Sequence, residues 1–97
     1  MSITHITEFH AASGQQSTLE PLLIEGRNRM RAAEGCESFD LYSDQDDELS
    51  FTFIQSWTSS EAHDAAFGER IVATGHLEKV LAGLGRPLVQ RTYIVVH

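Results

Sequence analysis

The chain has 97 residues, of which 41% are hydrophobic and 22% charged, a balance that excludes disordered, collagen-like and membrane-spanning classes and leaves room for one core, so residues 1–97 are read as a single domain. Seven Lys and Arg against 14 Asp and Glu give a formal charge of -7, which repels phosphate backbones and anionic lipid; neither nucleic acid nor membrane is expected as a partner. The lone Cys36 cannot close an internal disulfide, and Met1-Ser2-Ile3-Thr4-His5 lacks the basic start and apolar run of a secretory signal, so the expected location is cytoplasmic.

Ile3 to His10 mixes β-branched and aromatic residues and stops at Ser13-Gly14, which predicts a first strand. Leu19, Leu22, Leu23, Met30 and Ala33 then recur at helical spacing, with Glu20, Asn28, Arg31 and Glu34 on the opposite side. Ser13 with Gln16, or Ser17 with Glu20, fits a capping box at the start of this helix, and Gly35 closes it. Cys36 to Ser43 and Leu49 to Trp57 alternate in polarity around Asp44-Gln45-Asp46-Asp47-Glu48, which predicts a β-hairpin with an acidic tip. The tip lacks the carboxylate spacing and central Gly of a calcium loop. Thr58-Ser59-Ser60-Glu61 supplies hydroxyl caps for a second helical region that Gly68 and Gly75 are expected to break. Leu88 to Val96, rich in Val, Ile, Thr and Tyr, is the last predicted strand.

The order β, α, β, β, α, β predicts an α+β fold, the ferredoxin-like plait, with a four-stranded antiparallel sheet covered by helices on one face. Leu88, Ile94 and Val96 alternate with Val89, Tyr93 and Val95, so both faces of the last strand carry apolar side chains. Helices cover only one of them. A second copy packed against the bare face is the simplest cover, and a homodimer is expected.

Candidate chemistry is sparse. His5 and His10 lie an odd number of residues apart on a strand and point to opposite faces, and no His or Cys spacing marks a metal site. His63 and His76 stand alone in the helical region; of the two, His76 is the candidate for a pocket and His63 is expected to matter little. Cys36, without a CxxC partner or a base, is expected to be inert. No phosphate loop or nucleophile elbow is present. Aromatic side chains remain: Phe9, Phe39, Phe51, Phe53, Trp57, Phe67 and Tyr93 suffice to line an apolar pocket, and Trp57, at a strand end before a helix, fits its mouth.

The words Glu34-Gly35-Cys36, Phe39-Asp40-Leu41-Tyr42, Phe51-Thr52-Phe53-Ile54-Gln55-Ser56-Trp57-Thr58-Ser59-Ser60-Glu61-Ala62 and Gly75-His76-Leu77, in this order of elements, resemble the antibiotic biosynthesis monooxygenase domain family, which includes small quinol monooxygenases. The resemblance implies a dimeric α+β barrel and a cofactor-independent monooxygenase, with neither metal, flavin nor haem, that oxidises an electron-rich phenol, quinol or anthrone with O2. It places Trp57 beside the substrate and His76, the best available proton acceptor, on the same pocket. Phe9, Phe53 and Tyr93 would then surround the ring, and Arg86 or Arg91, of which Arg91 is the expected one, would supply a cation from near the last strand. The sequence departs from the pattern at Phe53, where one branch carries an Asn four residues before the Trp, and at Ala66, where many members carry a His. It also lacks the first-strand Asn of the haem-degrading branch. Three function classes fit: this oxygenase, an isomerase of a small phosphorylated sugar of the autoinducer-2 processing type, and a non-catalytic dimeric small-molecule-binding protein.

Overall fold

The structure is a computed structural model that describes residues 1–97. Its elements are β1 (Ile3–His10), α1 (Gln16–Arg31), β2 (Cys36–Ser43), β3 (Ser50–Trp57), α2 (Ser60–Phe67), a π-turn (Gly68–Val72), α3 (His76–Ala82) and β4 (Val89–Tyr93). The strands form one antiparallel sheet in the order β2-β3-β1-β4, which is the ferredoxin-like plait the sequence predicts. Period-two alternation in the central strands turns Ile3, His5, Thr7 and Phe9 of β1 and Phe51, Phe53, Gln55 and Trp57 of β3 toward the helices, and all eight are buried. Helix α1 lays Leu19, Leu23 and Met30 over them, and Leu19, Leu23 and Trp57 are the largest fully buried side chains.

Helix boundaries differ from expectation where caps compete. Neither predicted capping box forms at α1: the residue before the helix is Gln15, which has helical dihedrals and no side-chain cap. Its carbonyl instead accepts from the N–H groups of Thr18 and Leu19 at 3.1 and 2.9 Å, so backbone replaces side chain. At α2 the predicted hydroxyl cap is present, with Ser59 Oγ accepting from Ala62 N at 3.1 Å. Gly68 does not break the chain. It keeps helical dihedrals, and the helix widens there into a π-turn in which Ala73 N donates to Gly68 O at 2.9 Å. The break falls at Gly75, whose φ of 76° starts α3. Strand β4 ends at Tyr93 rather than Val96, and its pairing with β1 stops at Thr4 opposite Tyr93.

The acidic hairpin tip is built on its own carboxylates. Asp44 Oδ1 accepts from Asp46 N at 2.8 Å, and Asp47 accepts from Leu49 N at 3.0 Å and Ser50 Oγ at 2.8 Å. The sheet face away from the helices is uncovered. Cross-strand register aligns Asp40, Ile54, Ile6 and Arg91 in one row of that face, with Tyr42, Val89 and Tyr93 exposed around it.

Gly35 joins α1 to β2 with φ of 90°, and a Cβ there would lie 2.6 Å from Ala62 Cβ and 3.0 Å from Thr58 Oγ1. Both the left-handed backbone and the contact with the start of α2 demand glycine. Gly35→Ala is expected to lower the unfolding free energy by about 1–3 kcal/mol, read as a reduced urea midpoint; an unchanged midpoint would contradict this packing.

Candidate functional site

A cavity of about 260 Å³ lies between the helix side of the sheet and the helical layer. It is larger than the ~150 Å³ that holds one benzene ring and smaller than the ~300 Å³ at which drug-sized ligand pockets begin. One or two fused rings match it. Phe9, Phe39 and Phe53 line its apolar part, with Phe53 edge-on to Phe9 at 5.1 Å and to Phe39 at 4.8 Å. Neither Lys nor Arg lines it, so a bound phosphate would find no cationic partner. No group of three or more His, Cys, Asp or Glu side chains is placed to hold a metal ion.

The sequence-predicted residues part company here. Phe9, Phe53 and His76 line the cavity, whereas Trp57 is fully buried behind its wall. Trp57 Nε1 donates to Gln55 Oε1 at 2.7 Å, and the indole meets His63 edge-on at 5.5 Å, so it touches the cavity through two residues that do line it. Arg91 and Tyr93 stand on the opposite sheet face, because Gln90 between Val89 and Arg91 is the residue that points into the cavity. Arg86 is also remote. Its Nη2 donates to His10 Nδ1 at 2.8 Å, in a cluster with Ser50 and Asp47.

His76 is 3% exposed, and both ring nitrogens are engaged by oxygens of α1. Nε2 donates to Leu22 O at 2.8 Å, and Nδ1 lies 3.2 Å from Glu25 Oε2. Gly26 makes the close fit, since a Cβ there would stand 3.2 Å from His76 Nε2. With its nitrogens so occupied, His76 offers the cavity no free lone pair, in contrast to its expected role as proton acceptor.

Sequence reasoning passed over His5 and His63, and both line the cavity. His5, 8% exposed, comes from the middle of the sheet and His63 from α2, and their ring centroids lie 4.6 Å apart. His5 Nδ1 pairs with Thr92 Oγ1 at 2.7 Å, while His63 stacks on Phe67 at 5.8 Å and sets Nδ1 2.9 Å from Asp64 Oδ1. The apolar alternation of β1 carried a signal, since His5 shares a face with Ile3 and Phe9. Nothing in the sequence brings α2 over that strand. Cys36 lies outside the cavity, and burial pushes its thiol up from the ordinary value, consistent with an inert role.

Burial, and next the neighbouring His63, lower the His5 pKa below its ordinary 6.5, with Asp64 and Gln90 acting the other way. Below pH 6.5 the unfolded chain therefore binds this proton before the folded one does. The stability that neutral His5 allows is complete above that pH and is lost as pH falls toward the folded-state pKa. Asp47 acts in a separate, lower window: bonds from Leu49 and Ser50 hold its carboxyl below 3.8, so its contribution is lost only under that pH. Urea unfolding between about pH 7 and 5 should show wild type losing more stability than His5→Gln; parallel curves would contradict a buried neutral His5.

The antibiotic biosynthesis monooxygenase family profile matches residues 2–77. No curated protein matches the chain. Among solved structures, Rv0793 from Mycobacterium tuberculosis superposes with a TM-score of 0.90 at 24% identity, covering 100% of this chain and 97% of that one. A crystal structure of an antibiotic biosynthesis monooxygenase gives 0.89 at 22% identity, covering 98% and 99%. SnoaB, a cofactor-independent oxygenase from Streptomyces nogalater, gives 0.84 at 16% identity, covering 99% and 94%. At these identities the superpositions establish the plait, and the profile match over most of the length establishes the kinship: this chain belongs to the antibiotic biosynthesis monooxygenase family.

Proposed function

We propose that the protein is a cofactor-independent monooxygenase that oxidises an electron-rich phenol or quinol of one or two rings with O2, working as a homodimer. The observation that carries this reading is the cavity: a ring-sized, largely apolar space with buried imidazoles and no Lys or Arg, in a chain of this family. Such a substrate supplies all four electrons. Removal of its proton leaves an anion able to pass one electron to O2; the radical pair recombines inside the cavity, one oxygen atom enters the ring and the other leaves as water. A quinol thereby becomes a hydroxyquinone without an external reductant. The walls serve this by holding both partners together and limiting escape to solvent.

Phe9 and Phe53 would flank the ring, His76 would close the wall between α1 and α3, and Trp57 would fix the orientation of Gln55 and His63 rather than touch the substrate. A phosphorylated sugar has less support, for want of a cation in the cavity. Arg91 and Tyr93 belong instead to the dimer surface of this proposal, the uncovered sheet face on which Ile6 and Ile54 lie between Asp40 and Arg91.

Oxygen consumption with naphthalene-1,4-diol is expected to exceed protein-free autoxidation and to yield the hydroxyquinone; a rate equal to the blank would leave a binding protein. Sedimentation is expected to give a dimer with an interface on the order of 1,600 Å², and Ile54→Arg should shift it to monomer. A wild-type monomer at micromolar concentration would defeat the second claim.

A further inference from the structure

The floor of the cavity is graded along its strands. Register places Phe39, Gln55, His5 and Thr92 side by side in one row, Leu41, Phe53, Thr7 and Gln90 in the next, and Phe51 and Phe9 beyond them. The polar groups of the floor thus lie in the rows of His5 and Thr7, and the row of Phe9 has none. His63 covers the polar end, fixed by its stack on Phe67 and its edge contact with Trp57. A ligand with one hydroxyl and a flat apolar body that buries the body against Phe9 and Phe53 directs the hydroxyl toward the rows of Thr7 and His5. In the tautomer in which His5 Nδ1 donates to Thr92 Oγ1, Nε2 carries the accepting lone pair, with the Gln90 amide as the competing partner that the hydroxyl would displace.

We infer that the cavity takes a one- or two-ring phenol or quinol along β1 and β3 with its hydroxyl at His5, and that His5 Nε2 accepts the hydroxyl proton. The step breaks the substrate O–H bond, forms an N–H bond on His5 and leaves the electron pair on the phenolate oxygen; no oxidation occurs in it. It deepens the oxygenase reading and rests on it only for the reaction with O2 after ionisation. His63 and Asp64 are the titratable groups facing His5, and His76 lines the same cavity. Burial and His63 together keep His5 neutral at neutral pH, which preserves the accepting lone pair. Asp64, exposed at the cavity rim and 2.9 Å from His63 Nδ1, gives the displaced charge a route to water.

The test uses 4-nitrophenol, which does not react with O2, at a pH where the free dye is mostly the neutral phenol. Wild type is expected to bind it with the yellow phenolate band, and His5→Gln to bind it with the neutral-phenol band or to lose binding. His63→Phe keeps the stack and removes the neighbour that lowers the His5 pKa, so the acid limb of the phenolate band should move to higher pH. With naphthalene-1,4-diol, His5→Gln should slow oxygen uptake by about 10²-fold or more. An undiminished phenolate band in folded His5→Gln overturns the inference. If that variant does not fold, histidine-ring NMR of the wild type decides: His5 is expected to gain a proton when the dye binds, and an imidazole that stays neutral overturns it. Wild type that ionises the dye through His5 yet consumes no oxygen with any quinol supports the site and sinks the oxygenase reading. Oxygen uptake equal in wild type and His5→Gln does the reverse.

Discussion

The pairing register of β1 against β3 is the constraint on which the site depends. It sets His5 opposite Gln55, Thr7 opposite Phe53 and Phe9 opposite Phe51, all on the side the helices cover. A slip of one residue in either strand would send that strand's buried set to solvent and bring Thr52 and Ile54, or Ile6 and Glu8, inward. Register is held at one end by His10 Nδ1 against Ser50 Oγ at 3.1 Å and Ala11 N donating to Leu49 O at 2.7 Å, and at the other by Thr4 Oγ1 against Ser56 Oγ at 3.5 Å. The same pairing thus fixes both the core and the polar row within it. Burying Gln55, His5 and Thr7 costs stability unless each finds a partner, and Gln55 finds the indole while His5 finds Thr92.

The helical layer is tied down by a reciprocal bond. Arg29 Nη1 donates to Arg70 O at 3.1 Å, and Arg70 Nη1 donates to Arg29 O at 3.2 Å, so two like charges lie side by side because each satisfies the other's carbonyl. Arg29 also reaches Glu25 at 3.1 Å, and Glu25 is the carboxylate beside His76. The π-turn, α1 and the His76 wall of the cavity are therefore one connected unit. The extra residue of the π-turn lets Ile71 face the cavity while Arg70 reaches α1.

Local patterns made most of the fold legible. β-Branched and aromatic residues located β1, alternation located β2 and β3, helical spacing located α1, and the serine cap located α2. Where local pattern misleads, a non-local force decides. Gly68 reads as a helix breaker, yet it sits inside a π-turn because Arg70 and Ile71 pack onto α1. The site was legible only in part. Phe9, Phe53 and His76 could be placed on core-facing positions, but Arg91 and Tyr93 cannot be placed without the register that puts β4 beside β1. His63 looks like an isolated helix residue, and only the tertiary crossing of α2 over the start of β1 gives it His5 as a neighbour.

Strand β1 stands between β3 and β4, so the earliest strand in the chain is completed by the latest ones. Its bond from His5 to Thr92 spans 87 positions, and its link from His10 to Ser50 spans 40. Such closures cost chain entropy before any contact repays it, which places the fold among slow-nucleating mixed topologies. During synthesis on the ribosome β1 emerges with neither neighbour available and must wait as an unpaired, half-apolar segment until β3 is made. The β2–β3 hairpin, joined through a short acidic tip, can form alone in that interval and present the edge onto which β1 docks, leaving β4 to close the sheet last.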